Sequence, residues 1–464
     1  MVLNQEFIKS VVPEVLFVGA VLPPDCSWGV DSRTVQRNDI FVALQGMHVD
    51  GHNFIEQAIA AGARGCMIAQ HMQQALAHVI AKYQKTHTFI IVPSPQETLY
   101  TLAAAWRKNF SYPVVGITGS VGKTTTKEIV CNILRHHNVK FLASRGNQNT
   151  LIGVPLNILN MRADHEVAIF EMGINKRGEM AALAKLVQPT IAMITSIGHS
   201  HMEGLGSIID IATEKRDIFK YLKDDGIGVI NGDQALLASI SYTHPIVKFG
   251  RKMVNQVQAR KIQIGIGCTH FQLKLYHERY AITLPTENST RIYNSLAAAT
   301  IAYLLKVPAL KICAGIQEPL VVDGRFKKYA ITGTESTLID DSYNASPESM
   351  KAALLAFETI ESSGRKKIAV LADMLELGIN APFWHRQLGR FLRKVPSLDH
   401  VIFIGEQVKW AQKMVPIGLR YTMVPSWQEA VTILQPQVKQ DKSLILVKGS
   451  LGMGLKNLVT AFTV

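Results

Sequence analysis

The stretch VVGITGSVGKTTTKEIV, Val114 to Val130, holds the residues with the clearest chemical potential in this chain. A phosphate-binding loop of the usual pattern needs a glycine five residues before the glycine of GK[ST]. Ile117 stands there, and glycines stand instead at 116, 119 and 122. The first glycine is displaced by one residue, but the parts that bind phosphate remain. Backbone N–H groups of Gly119, Ser120, Val121, Gly122 and Lys123 can wrap phosphate oxygens at a helix N-terminus. Lys123 would reach the β- and γ-phosphates of a triphosphate, Thr124 would coordinate Mg2+, and Thr125 carries the loop into the helix. Glu171, which closes AIFE, and His201, in GHSHMEGLGS, suggest a second cation. Carboxylate oxygen and imidazole nitrogen both ligate Mg2+ or Mn2+, with oxygen preferred. Taken alone, Glu171 suits a salt bridge equally well, and His201 a loop hydrogen bond. The H-x-H spacing of His199 and His201 hints at zinc, but the sequence offers no third ligand.

These residues need elements to position them. Short β-rich runs alternate with longer helical patterns: TFIIVPS, YPVVGITG, EVAIFEMG, TIAMITSIG, GIGVIN, KIAVLADM, HVIFIGE and SLILVKGS. Nearly continuous apolar runs of this kind suit strands covered on both faces, as in parallel sheets. Between them lie helix candidates such as KTTTKEIVCNILRHH, where Ile129 and Ile133, and Val130 and Leu134, repeat at i, i+4. The fold class is therefore α/β with parallel sheets. In such sheets ligands bind beyond the carboxyl ends of the strands. The unusual polar residues fall at those ends: Gly119 to Lys123, Glu171, His199 and His201, Asp340 and Asp341, Asp373, and Lys448.

A length of 464 residues suggests about three domains. The segment before about residue 92 has its own strand and helix signals, and a second boundary falls near 318, where GIQEPLVVDGRFKKY carries Pro, Gly and charges. No uninterrupted apolar run reaches the 18 residues of a spanning helix, and Lys9, Pro13 and Glu14 interrupt the apolar N-terminus, so neither membrane insertion nor a signal peptide is expected. The five cysteines are far apart, with no C-x-x-C, which fits reduced thiols in a cytoplasm and argues against a disulfide framework. A net charge of +13 reads either as a lysine-rich surface or as attraction for phosphorylated ligands. No basic stripe with interleaved aromatics is present, so nucleic acid is not expected as a partner.

Several segments together resemble the Mur ligase family. GITGSVGKTTTKE is similar to its ATP loop, GxxGxxGKTT. DSRTVQRNDIFVALQGMHVDGHNFIEQAIAAGA (31–63) resembles the UDP-binding N-terminal domain of two members. GNQNTLIGVPL, EMGINKRGEM, HMEGLGS, DDSYNASPESM, LADMLELG and LVKGS resemble the dipeptide-adding member, and the DNPR motif of the sister that adds the third amino acid is absent. The resemblance implies a UDP-sugar-binding N-terminal α/β domain (1–91), a central ATP-binding domain with a P-loop-type parallel sheet (92–318) and a Rossmann-like C-terminal ligase domain (319–464). It implies an ATP-dependent ligase that joins D-alanyl-D-alanine to UDP-N-acetylmuramoyl-tripeptide through an acyl phosphate, in cytoplasmic peptidoglycan precursor synthesis, with two Mg2+ ions and a monomeric protein. The alternatives are a Mur-type ligase adding a different amino acid or dipeptide, and a non-catalytic nucleotide-binding sensor.

The resemblance also implies roles for residues. Lys123 holds the transferred phosphoryl group, and Glu171 and His201 bind a second Mg2+. Lys215, in ATEKRDIF, aligns with a family lysine that can be carbamylated. Arg325, in VDGRF, reaches the nucleotide phosphates, and Asp341 lies near the ribose or the interdomain linker, with Asp340 its possible twin. Ser32 and Arg33 contact the UDP portion, Asn147 and Asn149 the substrate or its phosphate, and Lys448 the substrate. Three places depart from the family pattern. Val121 stands where Asn is usual in the loop. The adenine-side helix, usually HNxxN, keeps Asn294 but has Thr290 and Arg291 at the first two positions, which leaves Arg291 to stack on the base. Leu451 follows KGS where Arg is common.

Overall fold

The computed structural model describes residues 2–23, 26–46, 49–440 and 442–463, so residues 47–48 of the UDP-domain stretch lie outside the described residues. The described strands form three sheets, of five, nine and six strands. Every apolar run singled out in the sequence is a strand, and each of those at Thr88–Val92, Val114–Thr118, Val167–Glu171, Ile191–Ile194 and His400–Ile404 is buried along its whole length. Such strands have no solvent face, so their sequences do not alternate.

The first sheet runs Leu16–Gly19, Thr88–Val92, Gly65–Ala69, Ile40–Val42, Trp28–Gly29, parallel except for its first pair. Thr88–Val92 continues through the expected 91/92 boundary. The helix Pro95–Arg107 that follows packs chiefly on the helices Gly153–Leu159 and Glu179–Val187 of the next unit. The core continues from one unit to the other there, through Leu99, Leu102, Trp106, Leu156 and Leu183.

In the central sheet, Val114–Thr118 lies between Val167–Glu171 and Ile191–Ile194, parallel to both. The chain leaves Val114–Thr118 toward one edge, returns beside it at Val167–Glu171, and then crosses to its other side at Ile191–Ile194. This reversal opens a crevice at the carboxyl ends of the three strands. The helix Lys123–His136 covers the sheet with Ile129, Val130, Ile133 and Leu134 buried, each burial stabilising by roughly 1.5–3 kcal/mol. The far side of the sheet is an antiparallel meander, Val257–Ile264, Thr269–Leu275 and Glu278–Leu284.

The third sheet runs Lys327–Ala330, Thr337–Asp340, Ser443–Lys448, Lys366–Ala372, His400–Ile404, Arg420–Val424, parallel after its first pair. Asp341, Asp373 and Lys448 stand at the carboxyl ends of its central strands. The ends at Asp341 and Lys448 line a cavity together with Gly122, so two sheets present polar termini to one another, while the Asp373 carboxylate accepts from Glu406 N and Val408 N.

Candidate active site

The phosphate loop is held open by the strand end beside it. Ser120 N donates to Ser196 O (2.8 Å), Ser120 Oγ to Gly198 O (3.0 Å), and Thr195 Oγ1 to Val121 O (2.7 Å). Gly119 and Gly122 have φ of +147° and +92°, a region that favours glycine. A Cβ at Gly119 would strike Thr195 Oγ1, and one at Gly122 would strike Asn294 Oδ1. Sequence alone showed the glycines; the clamp by Thr195 and Ser196 lies in a segment with no motif of its own. Val121 costs the loop nothing in shape, since its backbone carries the contacts.

Lys123 Nζ donates to Gly119 O at 2.8 Å, so the ammonium bends over the loop. Burial holds its pKa below the usual lysine value; Glu171 opposes that shift and Arg325 adds to it. Glu171 is 2% exposed. It accepts from Thr124 Oγ1 (2.9 Å) and Asn149 Nδ2 (2.8 Å), and its backbone N–H donates to Ser144 Oγ (3.0 Å). No lysine or arginine forms an ion pair with this carboxylate among the described residues. A buried carboxylate hydrogen-bonded only by neutral donors, with the Lys123 ammonium as a charged neighbour, is a setting a further cation fits. His201 lines the same cavity, and its Nδ1 lies 2.6 Å from Glu376 Oε2, which leaves Nε2 as the nitrogen for a cation. No cluster of three His, Cys, Asp or Glu side chains suited to a metal occurs among the described residues. The zinc hint therefore fails: His199 turns away to Glu348 (Nδ1 to Oε1, 2.6 Å) and packs on the Trp384 ring, 4.2 Å between centroids.

Two cavities meet at this loop. One, of about 270 Å³, is lined by Lys123, Asn147, Asn149, Glu171, His201 and Leu451 among others. The other, of about 390 Å³, is lined by Gly122, Thr125, Arg291, Asn294, Asp341 and Lys448 among others. Arg325 borders both. Its guanidinium stacks on the Tyr343 ring, 4.1 Å from the centroid, and so is aimed before any ligand arrives. Tyr343 and Glu348 lie in DDSYNASPESM and Glu376 in LADMLELG, where no local pattern gives these three side chains a role. Tyr343→Leu is expected to lower kcat/KM for the nucleotide by about 2- to 30-fold with little change in melting temperature. Steady-state kinetics check this, and unchanged kinetics would remove the ring from the site.

Lys215 is 1% exposed, on the helix Ile208–Arg216. Burial drives its pKa well below the lysine value, and the neighbouring charge of Lys123 drives it further, against the pull of Glu214. Lys448, expected at the substrate, has partners of its own in this structure. It is 1% exposed and spent on Asp341 Oδ2 (2.6 Å) and Asn344 O (3.1 Å), on the side of the larger cavity. A lysine so engaged fixes Asp341 on the wall of that cavity. Asp341 Oδ1 also accepts from Phe326 N (3.1 Å), next to Arg325. Asp340 instead accepts from Ser342 N at 3.0 Å and caps the turn, which separates the two aspartates. Ser32 and Arg33 line neither cavity: Ser32 Oγ donates to Gln57 Oε1 at 3.1 Å, and Arg33, with its side chain 78% exposed, is held by Asp31 at 2.7 Å.

Comparison with known proteins bears on what this arrangement is for. Three family models match in turn: the Mur ligase family catalytic domain at 27–107, the Mur ligase middle domain at 117–302, and the Mur ligase glutamate ligase domain at 324–451. The UDP-N-acetylmuramoyl-tripeptide–D-alanyl-D-alanine ligase of Bacillus subtilis is 33% identical, over 92% of this chain and 91% of its own. That of Escherichia coli is 29% identical, over 93% and 92%. A crystal structure of MurF from Acinetobacter baumannii superposes with a TM-score of 0.83 at 25% identity, covering 100% of this chain and 99% of its own. MurF from Thermotoga maritima, in complex with ADP, superposes at 0.76 with 27% identity, covering 95% and 97%. With matched models along its length and relatives of this identity aligned nearly end to end, the chain belongs to the Mur ligase family.

Proposed function

We propose that this chain is an ATP-dependent ligase that joins D-alanyl-D-alanine to UDP-N-acetylmuramoyl-tripeptide, forming ADP and phosphate. The observation that carries this reading is the meeting of the phosphate loop with Glu171, His201 and Arg325 around one cavity, in a chain aligned nearly end to end with relatives named for that reaction. The absence of DNPR, with DSYNA in the corresponding region, favours a dipeptide over a single third amino acid as the incoming group.

The residues divide the work as follows. The amides of residues 119–124 and the Lys123 ammonium hold the β- and γ-phosphates of ATP. The terminal carboxylate of the tripeptide enters the smaller cavity beside Asn147 and Asn149 and attacks the γ-phosphorus, and ADP leaves. The dipeptide amine then attacks the acyl phosphate carbonyl, and phosphate departs from the tetrahedral intermediate. Both steps concentrate negative charge, so fixed positive groups lower the barrier most. Arg325 supplies one of them from the C-terminal unit, and Asp341, fixed by Lys448, holds the backbone next to it. Thr124, Glu171 and the free nitrogen of His201 are the groups that would hold Mg2+, which when bound neutralises phosphoryl oxygens. Two ions are expected. The N-terminal unit, with Ser32 and Arg33, takes the UDP portion, and the units divide near residues 91 and 318. Among the described residues no helix is long and apolar enough to cross a membrane. A monomer acting in the cytoplasm completes the reading.

Leu451, on the cavity wall where the family commonly has Arg, favours a second reading in which the incoming amine differs from D-alanyl-D-alanine. Mass spectrometry of the product formed from ATP, Mg2+, UDP-muramoyl tripeptide and a mixture of dipeptides tests both. A single product extended by D-alanyl-D-alanine is expected. Another dipeptide in the product would establish the second reading, and ATP hydrolysis without any extended product would overturn the ligase reading.

A further inference from the structure

The larger cavity runs from Gly122 and Thr125, at the start of the loop helix, to the first turn of the helix Thr290–Leu304. Asn294 lies close enough to Gly122 that a Cβ there would collide with it. Arg291 is three residues earlier on the same helix, hence on the same face and about 4.5 Å nearer the helix N-terminus. A phosphate chain seated on the loop therefore leads its nucleoside past Asn294 toward Arg291. Pro285, Leu320 and Val321 supply apolar wall at this end.

The polar groups at this end are unevenly committed. Asn288 Oδ1 already accepts from Thr290 N (3.0 Å) and Thr290 Oγ1 (2.7 Å). The Glu287 carboxylate accepts from Lys328 Nζ (3.1 Å) and from Gly267 N (3.1 Å). The Arg291 guanidinium has no carboxylate partner among the described residues, and burial lowers its pKa to about 10, so it stays charged at neutral pH. The Asn288 and Glu287 acceptors are engaged, and a five-donor fork remains in the same lining as the Asn294 amide. Purines differ on the edge such a fork would meet. Guanine presents two acceptors, O6 and N7, and pairs with Arg; adenine presents the N7 acceptor and the N6 donor, and pairs with Asn or Gln.

We infer that Arg291 reads the outer edge of the purine and that this cleft accepts a guanine nucleotide alongside an adenine nucleotide. The inference rests on the assignment of the loop as a nucleotide site. The test is calorimetric binding of ADP, GDP and 7-deaza-GDP, which lacks the N7 acceptor, to the full chain and to Arg291→Asn and Arg291→Lys. In the unaltered protein GDP binds with a Kd within roughly tenfold of that for ADP, and 7-deaza-GDP binds more weakly than GDP. In Arg291→Asn the preference moves toward ADP by roughly 5- to 150-fold, and the penalty for 7-deaza-GDP disappears. Arg291→Lys, which keeps the charge and loses the fork, moves the same way. Retained ADP binding shows that both variants are folded. Equal weakening of ADP and GDP in Arg291→Asn would overturn the inference, because it would place the guanidinium on the phosphates. So would ADP binding without GDP binding in the unaltered protein. Failure of every nucleotide to bind would overturn the nucleotide site itself, and the inference with it.

Discussion

Lys123→Met lowers kcat/KM for ligation by about a hundred- to a thousandfold, while the protein stays folded. The size follows from position: the ammonium lies over the loop that holds the transferred phosphoryl group, and a preorganised cation at developing charge is worth about 3–4 kcal/mol of barrier. The fold survives because the lysine is buried at a cost. Burial and Arg325 both disfavour its charge, and it makes one hydrogen bond, to Gly119 O. Methionine fills a similar volume without that cost. Thermal melting and steady-state phosphate release check the two halves separately. A folded variant with undiminished turnover would remove Lys123 from the chemistry.

Lys215→Ala loses most of the activity, about a hundredfold or more, and regains part of it with added short carboxylic acids such as formate. A buried amine with its pKa driven down is neutral more readily than an ordinary lysine, and only the neutral amine attacks CO2. In the carbamylation that the family resemblance implies, the amine nitrogen would bond to the carbon of CO2 and give up a proton, and the resulting carbamate would place an anion beside Lys123. A small carboxylate can occupy the space left by alanine and restore that anion. Full activity of the variant, or no rescue, would refute the role.

The same lysine sets a stability gradient in CO2-free buffer. Its folded pKa lies below the unfolded value of 10.5, so the unfolded chain binds the proton first as pH falls. Stability from this residue is complete above pH 10.5 and is lost as pH falls from there toward the folded pKa. Lys215→Met lacks that loss. Its stability relative to the parent is therefore larger at pH 7 than at pH 9.5, as urea unfolding at the two pH values would measure.

The sequence made the parallel strands legible because burial on both faces leaves unbroken apolar runs, as in Val167–Glu171 and His400–Ile404. The antiparallel meander carries a different signal in its sequence. Thr269–Leu275 alternates, with Phe271, Leu273 and Leu275 buried and His270 exposed, the period-2 pattern of a sheet with one wet face. In the site, residues attached to a loop motif were readable: Lys123, Thr124 and Glu171 converge as their strand ends require. Residues that act across units were not. Glu348 and Glu376 meet His199 and His201 from more than a hundred positions away, and no local pattern announces such a pair. The partner of Lys448 was hidden for a related reason. A strand-end lysine looks free in sequence, and only the sheet pairing of Thr337–Asp340 with Ser443–Lys448 puts Asp341 within 2.6 Å of it.

The central claim is that ATP on this loop phosphorylates the sugar-linked acid before the amine attacks. Its most direct test is to supply UDP-muramoyl tripeptide with 18O in the terminal carboxylate, together with ATP, Mg2+ and D-alanyl-D-alanine, and to weigh the released phosphate. An acyl phosphate sends one carboxylate oxygen out with the phosphate, so one 18O atom per phosphate is expected for each peptide bond formed. Unlabelled phosphate accompanying extended product would contradict the account.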